Sequence, residues 1–510
     1  MKRLLVFLLC TVIVLSLCAC GKEEPSIGPE SGPSVTLSGE QTTDAPPQPE
    51  QAAPAPMSAP APVPETPVEQ APPAFVPTVS GEQDSYNLTW GEMQSPDFWI
   101  ALCDDPQAIR MTEEEIEAYN ASIAGLFETD VEDLASWPET MSRAKLLKLL
   151  NHYGPTPDSD YYTPNGPITP AQRAEMGENR NTTAVAEQTP VQYGFVTRNT
   201  ILRTFPSPVP LYDSPSAWEY DKAAETAFKI WEPVLILHTS ADGQWYLARA
   251  YDYLGWLPVT DAALCDRQQW LELCDALQNQ RLTVTAARLA LDGSFHNPGI
   301  DGTVLKMGTR LPLVFYKVAD NAISDNCHIV QLPLREKDGQ LKLVSARIPK
   351  QEDVCEGELP YTTEILLRQV FKLLGHRYGW GGTADGWDCS SICQDVFRTM
   401  GVDLPRNSGS QRKIPGCIDT SDMTAQQKTD ALATLLPGAM LEMPGHQTMY
   451  IGRFEGEDYV IHATHGVYDT QGRLYEANSV IVSSVQARRS NGKSLLENFR
   501  GFSMPAVLEQ

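Results

Sequence analysis

Positive charge is scarce in this chain: 39 lysines and arginines face 65 aspartates and glutamates, a formal net charge of -26 over 510 residues. That balance argues against nucleic acid or an anionic lipid surface as partner, because both demand a basic patch. Paired-cysteine spacing is missing too. Cys103, Cys265, Cys274, Cys327, Cys355, Cys389, Cys393 and Cys417 contain no CxxC, so a zinc ribbon has no support. His152, His238, His296, His328 and His376 are scattered and take no role. The apolar run Leu4–Leu17 falls short of the roughly 20 residues that a membrane span needs.

What is present begins with a targeting segment. Lys2 and Arg3 form a basic start, the apolar run follows, and Leu17-Cys18-Ala19-Cys20 is a small-residue cleavage region. Leu-Cys-Ala-Cys resembles a bacterial lipobox. The resemblance implies lipidation at Cys20 and export to the outer face of the cytoplasmic membrane, or to the periplasm or outer membrane in a two-membrane cell. A plain secretory signal or an anchor helix is the alternative. Residues 21–83 are rich in Pro, Ala, Glu and Ser, as in PAPMSAPAPVPETP. Such a stretch cannot bury enough apolar surface to fold, and reads as an extended tether. An exported chain can carry disulfides, but the sequence does not give their pairing.

Beyond the tether the expected class is α+β. Residues 84–155 read as a short helical region, with a capping box at Thr112-Glu113-Glu114-Glu115 and a second amphipathic helix in SRAKLLKLLNHYG. Two β-rich segments follow. In 191–265, VLILHTS and QWYLARA flank Ala241-Asp242-Gly243, a hairpin signal, and GWLP is similar to the closing strand of a bacterial SH3-type barrel. The segment 282–350, with RLPLVFYKV and a turn at Asp338-Gly339, reads as a second small barrel. A helical joint at 271–280 separates the two.

The last segment, 358–510, carries the chemistry. In YGWGGTADGWDCSSICQDVFRTMGVDLPRNSGSQ, glycines lead up to Cys389 at the first turn of a helix. Ile392, Val396, Phe397 and Met400 give that helix one apolar stripe, and Gly401 stops it. Unpaired N–H groups at a helix start favour a thiolate, and the glycines let substrate backbone come close. A small buried hydrophobe is the bland reading of Cys389. Downstream, GHQTMYIGRFEGEDYVIHA reads as a hairpin whose arms carry His446 and His462. A thiolate needs a base, and the base needs a partner to fix its tautomer. A zinc site from Cys389, His446, His462 and His465 is the weaker alternative.

YGWGG, DCSS, LPRNSGSQ, GH-x-x-x-YIG and VIHA, in this order over the last third of the chain, resemble the NlpC/P60 cell-wall peptidases. The resemblance implies a papain-like C-terminal domain with Cys389 as nucleophile, His446 as general base and His462 as orienting residue. The turn RFEGED looks longer than in many members. SPDFWIALCDDPQAI is similar to the N-terminal stabilising segment of SH3-bearing members. The same likeness makes Tyr378 an oxyanion or substrate donor, beside the Cys389 N–H, with an aromatic wedge packing its loop as the alternative; it places Ser390 and Ser408 at the substrate, while Asp388 faces substrate or caps the helix. Asp388 would take the free amine of an N-terminal L-alanine, with Tyr251 or Tyr253 from the first barrel completing the pocket. Arg406 and Gln411 carry structural roles at least as readily. The implied substrate is a peptidoglycan stem peptide or muropeptide fragment, cut at the γ-D-glutamyl–diamino acid bond without metal or organic cofactor. A non-catalytic wall-binding protein, or an amidase or acyltransferase on this fold, stands as the alternative.

Overall fold

The computed structural model describes residues 86–126, 131–293, 298–314 and 326–506. The leader 1–20 with Cys20, the tether 21–83, His296 and Phe315–Val318 of the second β-rich segment lie outside the described residues. Everything described belongs to one of the chain's two units, residues 77–510. No helix among the described residues is long and apolar enough to cross a membrane.

The N-terminal helices brace the C-terminal domain. Ser95 caps Pro96–Ile100 by accepting the Asp97 N–H. This seats the buried Trp99 against Tyr459, with ring centroids 5.2 Å apart. The Thr112/Glu115 capping box forms and starts the helix Glu113–Ile123, which buries Ile116, Tyr119 and Ile123. Its Asn120 donates to the Gly401 carbonyl at 2.8 Å and accepts from the Asp403 N–H at 3.0 Å. Those two bonds pin the chain where the Cys389 helix ends. Further along, Ser142 caps the helix Arg143–Leu150. A helix the sequence left unassigned, Pro170–Asn179, opens on a Thr169/Gln172 capping box.

Seven antiparallel strands follow, in the order Ala262–Cys265, Gln192–Val196, Pro233–Thr239, Trp245–Arg249, Leu254–Pro258, Thr200–Arg203, Ala224–Phe228. The hairpin between Thr239 and Trp245 turns through Gly243 at φ +69°, where glycine is unstrained. The helix Arg267–Asn279 buries Trp270, Leu273 and Leu277. It leads into a second small β module built from three sheets. Arg281–Val284 pairs with Arg310–Pro312 and Val354–Glu356, Arg288–Ala290 pairs with Val304–Lys306, and the long hairpin joins Cys327–Arg335 to Leu341–Pro349.

The C-terminal domain lays helices on a six-stranded antiparallel sheet. Its order is Ile418–Asp419, Gly501–Ser503, Met440–Met443, His446–Phe454, Glu457–Tyr468, Leu474–Ser484. From the helix Cys389–Arg398 and the turn after it, Ile392, Val396, Phe397 and Met400 lose all exposure in one core with Met449, Ile451, Ile461 and Ala463 of the sheet. The RFEGED turn is tighter than the sequence suggests. Phe454 pairs with Glu457, so only Glu455 and Gly456, both at positive φ, lie outside the ladder. The extra residues lengthen the arms and leave the turn short.

Candidate active site

Cys389 is the first residue of its helix, and Asp388 is the N-cap: the Asp388 carboxylate accepts the Ser391 N–H at 2.9 Å while Ser391 returns a bond to the Asp388 N–H. Trp387 anchors the approach. Its indole N–H donates to Asp395 at 2.8 Å, and Asp395 holds Lys229, just after the strand Ala224–Phe228, at 2.5 Å. From the second β module, Lys306 stacks over the same indole at 4.1 Å and donates to the Gly386 carbonyl at 2.9 Å. Trp387, two residues before Cys389, is therefore held by groups from three segments.

The thiol is partly exposed in a setting otherwise deep in protein. Burial pushes it up to about 12, the Asp388 carboxylate adds to the rise, and the Gln447 and Ser390 N–H groups oppose it. Burial thus outweighs the helix start that the sequence emphasised. Gln447 follows His446, whose Nε2 lies 2.8 Å from His462 Nδ1; His462 Nε2 lies 3.1 Å from Ser483 Oγ. This chain occupies His446 Nε2 and leaves its Nδ1 without a hydrogen-bond partner among the described residues. Nε2–H then donates to His462, and His462 Nε2–H donates to Ser483. Burial, then His462 and Arg489, hold His446 well below its ordinary range; burial and Arg489 bring His462 down to about 3. Burial thus pushes the thiol and the imidazole alike toward their neutral forms.

Around the cleft, Tyr220 from the loop preceding strand Ala224–Phe228 meets Tyr378 at 6.1 Å, Trp380 at 5.6 Å and His465 at 6.0 Å, centroid to centroid. Among the described residues no group of three His, Cys, Asp or Glu side chains is placed to hold a metal ion. His465 directs Nδ1 to Asn478 Oδ1 at 2.7 Å.

Comparison with known proteins fits this geometry. The NlpC/P60 family pattern matches residues 375–488, and the SH3 domain (SH3b1 type) pattern matches residues 210–258. The chain carries an NlpC/P60 domain behind an SH3b domain. Two proteins of Bacillus subtilis (strain 168) are similar over part of the chain. A gamma-D-glutamyl-L-lysine dipeptidyl-peptidase is 32% identical over 100 residues, 18% of this chain and 34% of that protein. A gamma-DL-glutamyl hydrolase is 28% identical over 110 residues, 21% of this chain and 25% of that protein. The chain therefore spans only about a third and a quarter of these curated relatives. A solved structure of an NlpC/P60 endopeptidase from Photobacterium damselae subsp. piscicida shares the fold, with TM-score 0.64 at 18% identity, covering 82% of this chain and 98% of that one.

Within the NlpC/P60 domain several expected roles change. Asp388 is not open to a substrate amine. Burial would raise its carboxyl, but both terminal nitrogens of Arg406 pair with it and hold it below the usual carboxylate range. Ser390 is spent in the same cluster, accepting from Arg406 at 2.9 Å. Tyr251 is likewise out of reach, its hydroxyl bound to the Leu404 carbonyl at 3.3 Å and Gln394 at 3.0 Å. Gly381 and Gly382 make room for the SH3b domain. A Cβ on Gly381 would lie 3.0 Å from the Ala224 carbonyl, and one on Gly382 would lie 2.5 Å from Ala227 Cβ. Gln411 bonds to Gln447 and to the Pro405 carbonyl, a structural ladder beneath the thiol.

Other residues remain available. The Ser408 and Tyr378 hydroxyls have no hydrogen-bond partner among the described residues, and the field of Cys389 reaches Tyr378. Tyr253 bonds Glu225 and lies 3.4 Å from Asn407 Nδ2. The sequence reading missed Glu225, Tyr220 and Arg489. Nothing local marks them: each reaches the site only through the packing of distant segments.

Proposed function

We propose that the protein is a cysteine endopeptidase that hydrolyses the γ-D-glutamyl–diamino acid bond of peptidoglycan stem peptides. The observation that carries this reading is the Cys389 thiol at a helix start beside the strand that opens with the His446–His462–Ser483 chain. His446 Nδ1 takes the thiol proton as Sγ attacks the γ-carbonyl carbon. The oxyanion meets the Cys389 N–H, an N–H without an intrahelical partner, and the Tyr378 hydroxyl. His446 then protonates the departing amine, giving a thioester, and activates water to hydrolyse it. His462 holds the ring throughout. The similar proteins, a gamma-D-glutamyl-L-lysine dipeptidyl-peptidase and a gamma-DL-glutamyl hydrolase, support the same bond type.

Stem peptides incubated with the wild type should yield, by mass spectrometry, fragments split after D-glutamate, and Cys389→Ala should abolish them while remaining folded. Undiminished cleavage by that variant would sink the thiolate mechanism. Cleavage at muramic acid would indicate an amidase, and no cleavage a wall-binding protein. We further propose export and lipid anchoring through Cys20, supported by the leader Met1–Cys20. The mature N-terminal peptide should carry diacylglycerol on Cys20, and an unmodified residue there would refute it.

A further inference from the structure

Arg489 stands beside the candidate site. Around the Cys389 helix, Arg406, Arg398, Arg310 and Lys229 each hold a carboxylate. Arg489 holds none among the described residues. One of its terminal nitrogens donates to the Pro444 carbonyl at 2.8 Å, in the turn that delivers His446 to its strand. The rest of its guanidinium has no bond to protein among the described residues. Its field reaches Cys389 and Tyr220 as well as both imidazoles, so it overlooks the cleft at the base's end.

The peptidase chemistry gives that end an occupant. His446 must lie within hydrogen-bond reach of the departing amine, so the residue that leaves sits over it. The α-carboxyl carbon of that residue is two bonds from the amine nitrogen. A planar guanidinium with one nitrogen anchored and its other donors open matches a carboxylate, whereas an amide offers neither charge nor the second acceptor. We propose that Arg489 recognises a free α-carboxylate on the leaving diamino acid, making the enzyme selective for stem peptides that end at that residue over those extended by a further amide-linked residue. This inference rests on the peptidase reading above.

The test compares L-Ala-γ-D-Glu-L-Lys with its C-terminal carboxamide on the wild type, Arg489→Gln and Arg489→Lys. The wild type should prefer the free acid at least tenfold in kcat/KM, chiefly through KM. Arg489→Gln should bring the ratio of the two substrates close to one, and Arg489→Lys, which keeps the charge without the fork, should retain part of the preference. A wild type indifferent to the carboxamide would overturn the inference, as would a preference surviving in Arg489→Gln. So would an equal fall in kcat on both peptides, since Arg489 would then act on the thiol and not on substrate. Cleavage of neither peptide by the wild type would overturn the peptidase reading itself, and the inference with it.

Discussion

His446 is oriented by a neutral imidazole where the familiar triad uses a carboxylate. A carboxylate would stabilise the imidazolium and lift the base's pKa; His462 offers only a hydrogen bond, so burial dominates and both rings stay neutral. The cost appears in stability against pH. Below an unfolded pKa near 6.5 the unfolded chain binds protons at both histidines that the folded chain refuses. Stability is therefore fully present above about pH 6.5 and is lost as pH falls toward the folded value, about 3 for His462. Each such group contributes up to about 1.4 kcal/mol per pH unit within that window. His462 is 1% exposed, so solvent screening does little to reduce this. His462→Gln removes one titrating group while keeping an acceptor for His446. Its denaturation midpoint should fall less steeply than the wild type's between pH 6.5 and 4. Parallel slopes would mean that His462 already binds a proton in the folded state.

The helix Cys389–Arg398 was legible in the sequence because its stripe and its Gly401 stop depend only on residues within a few turns. The Thr112/Glu115 box and the turns at Gly243 and Gly339 were readable for the same reason. What the sequence misjudged were features whose partners are remote. Gly381 and Gly382 looked like an approach for substrate, yet the backbone that approaches them belongs to the strand Ala224–Phe228. Asp388 was expected to face substrate or cap the helix; it caps the helix, and Arg406, 18 residues on, closes over it. The short RFEGED turn was hidden because strand register decides where a ladder ends, and register is settled by the whole sheet. Glu225, Tyr220 and Arg489 could not have been found by spacing at all. The helix is locally specified, whereas the walls of its cleft are products of assembly.

The SH3b domain packs against the segment that carries Cys389. Its Thr226 accepts from Arg406 Nε at 2.7 Å, tying it to the carboxylate that caps the Cys389 helix. Beside that junction stands Glu225, with Tyr253 bonded to it and Asn407 close by. Burial raises the Glu225 carboxyl, opposed by the Tyr253 hydrogen bond and the field of Arg406, and no cation pairs with it among the described residues. A buried carboxylate lacking a cation of its own is suited to an ammonium, and a stem peptide freed from glycan offers one on its N-terminal L-alanine. The amine preference first placed on Asp388 therefore moves to Glu225. We predict that L-Ala-γ-D-Glu-diamino acid peptides are cut far better than N-acetylated ones, and that Glu225→Gln lowers kcat/KM for the free amine on the order of a hundredfold, the loss expected when one partner of a buried charged pair is removed. The N-acetylated peptide, which never made the pair, should be affected little by the substitution. The sign of the pH effect follows. Because the Glu225 carboxyl is raised, it protonates earlier on acidification than an ordinary glutamate, and the preference for the free amine should fade while Asp388, held low by Arg406, is still ionised. Ratios of kcat/KM for the two peptides, measured from pH 7 downward, decide the matter: equal rates on both at neutral pH would mean that the SH3b domain leaves the cleft open and that glycan-linked wall can enter it.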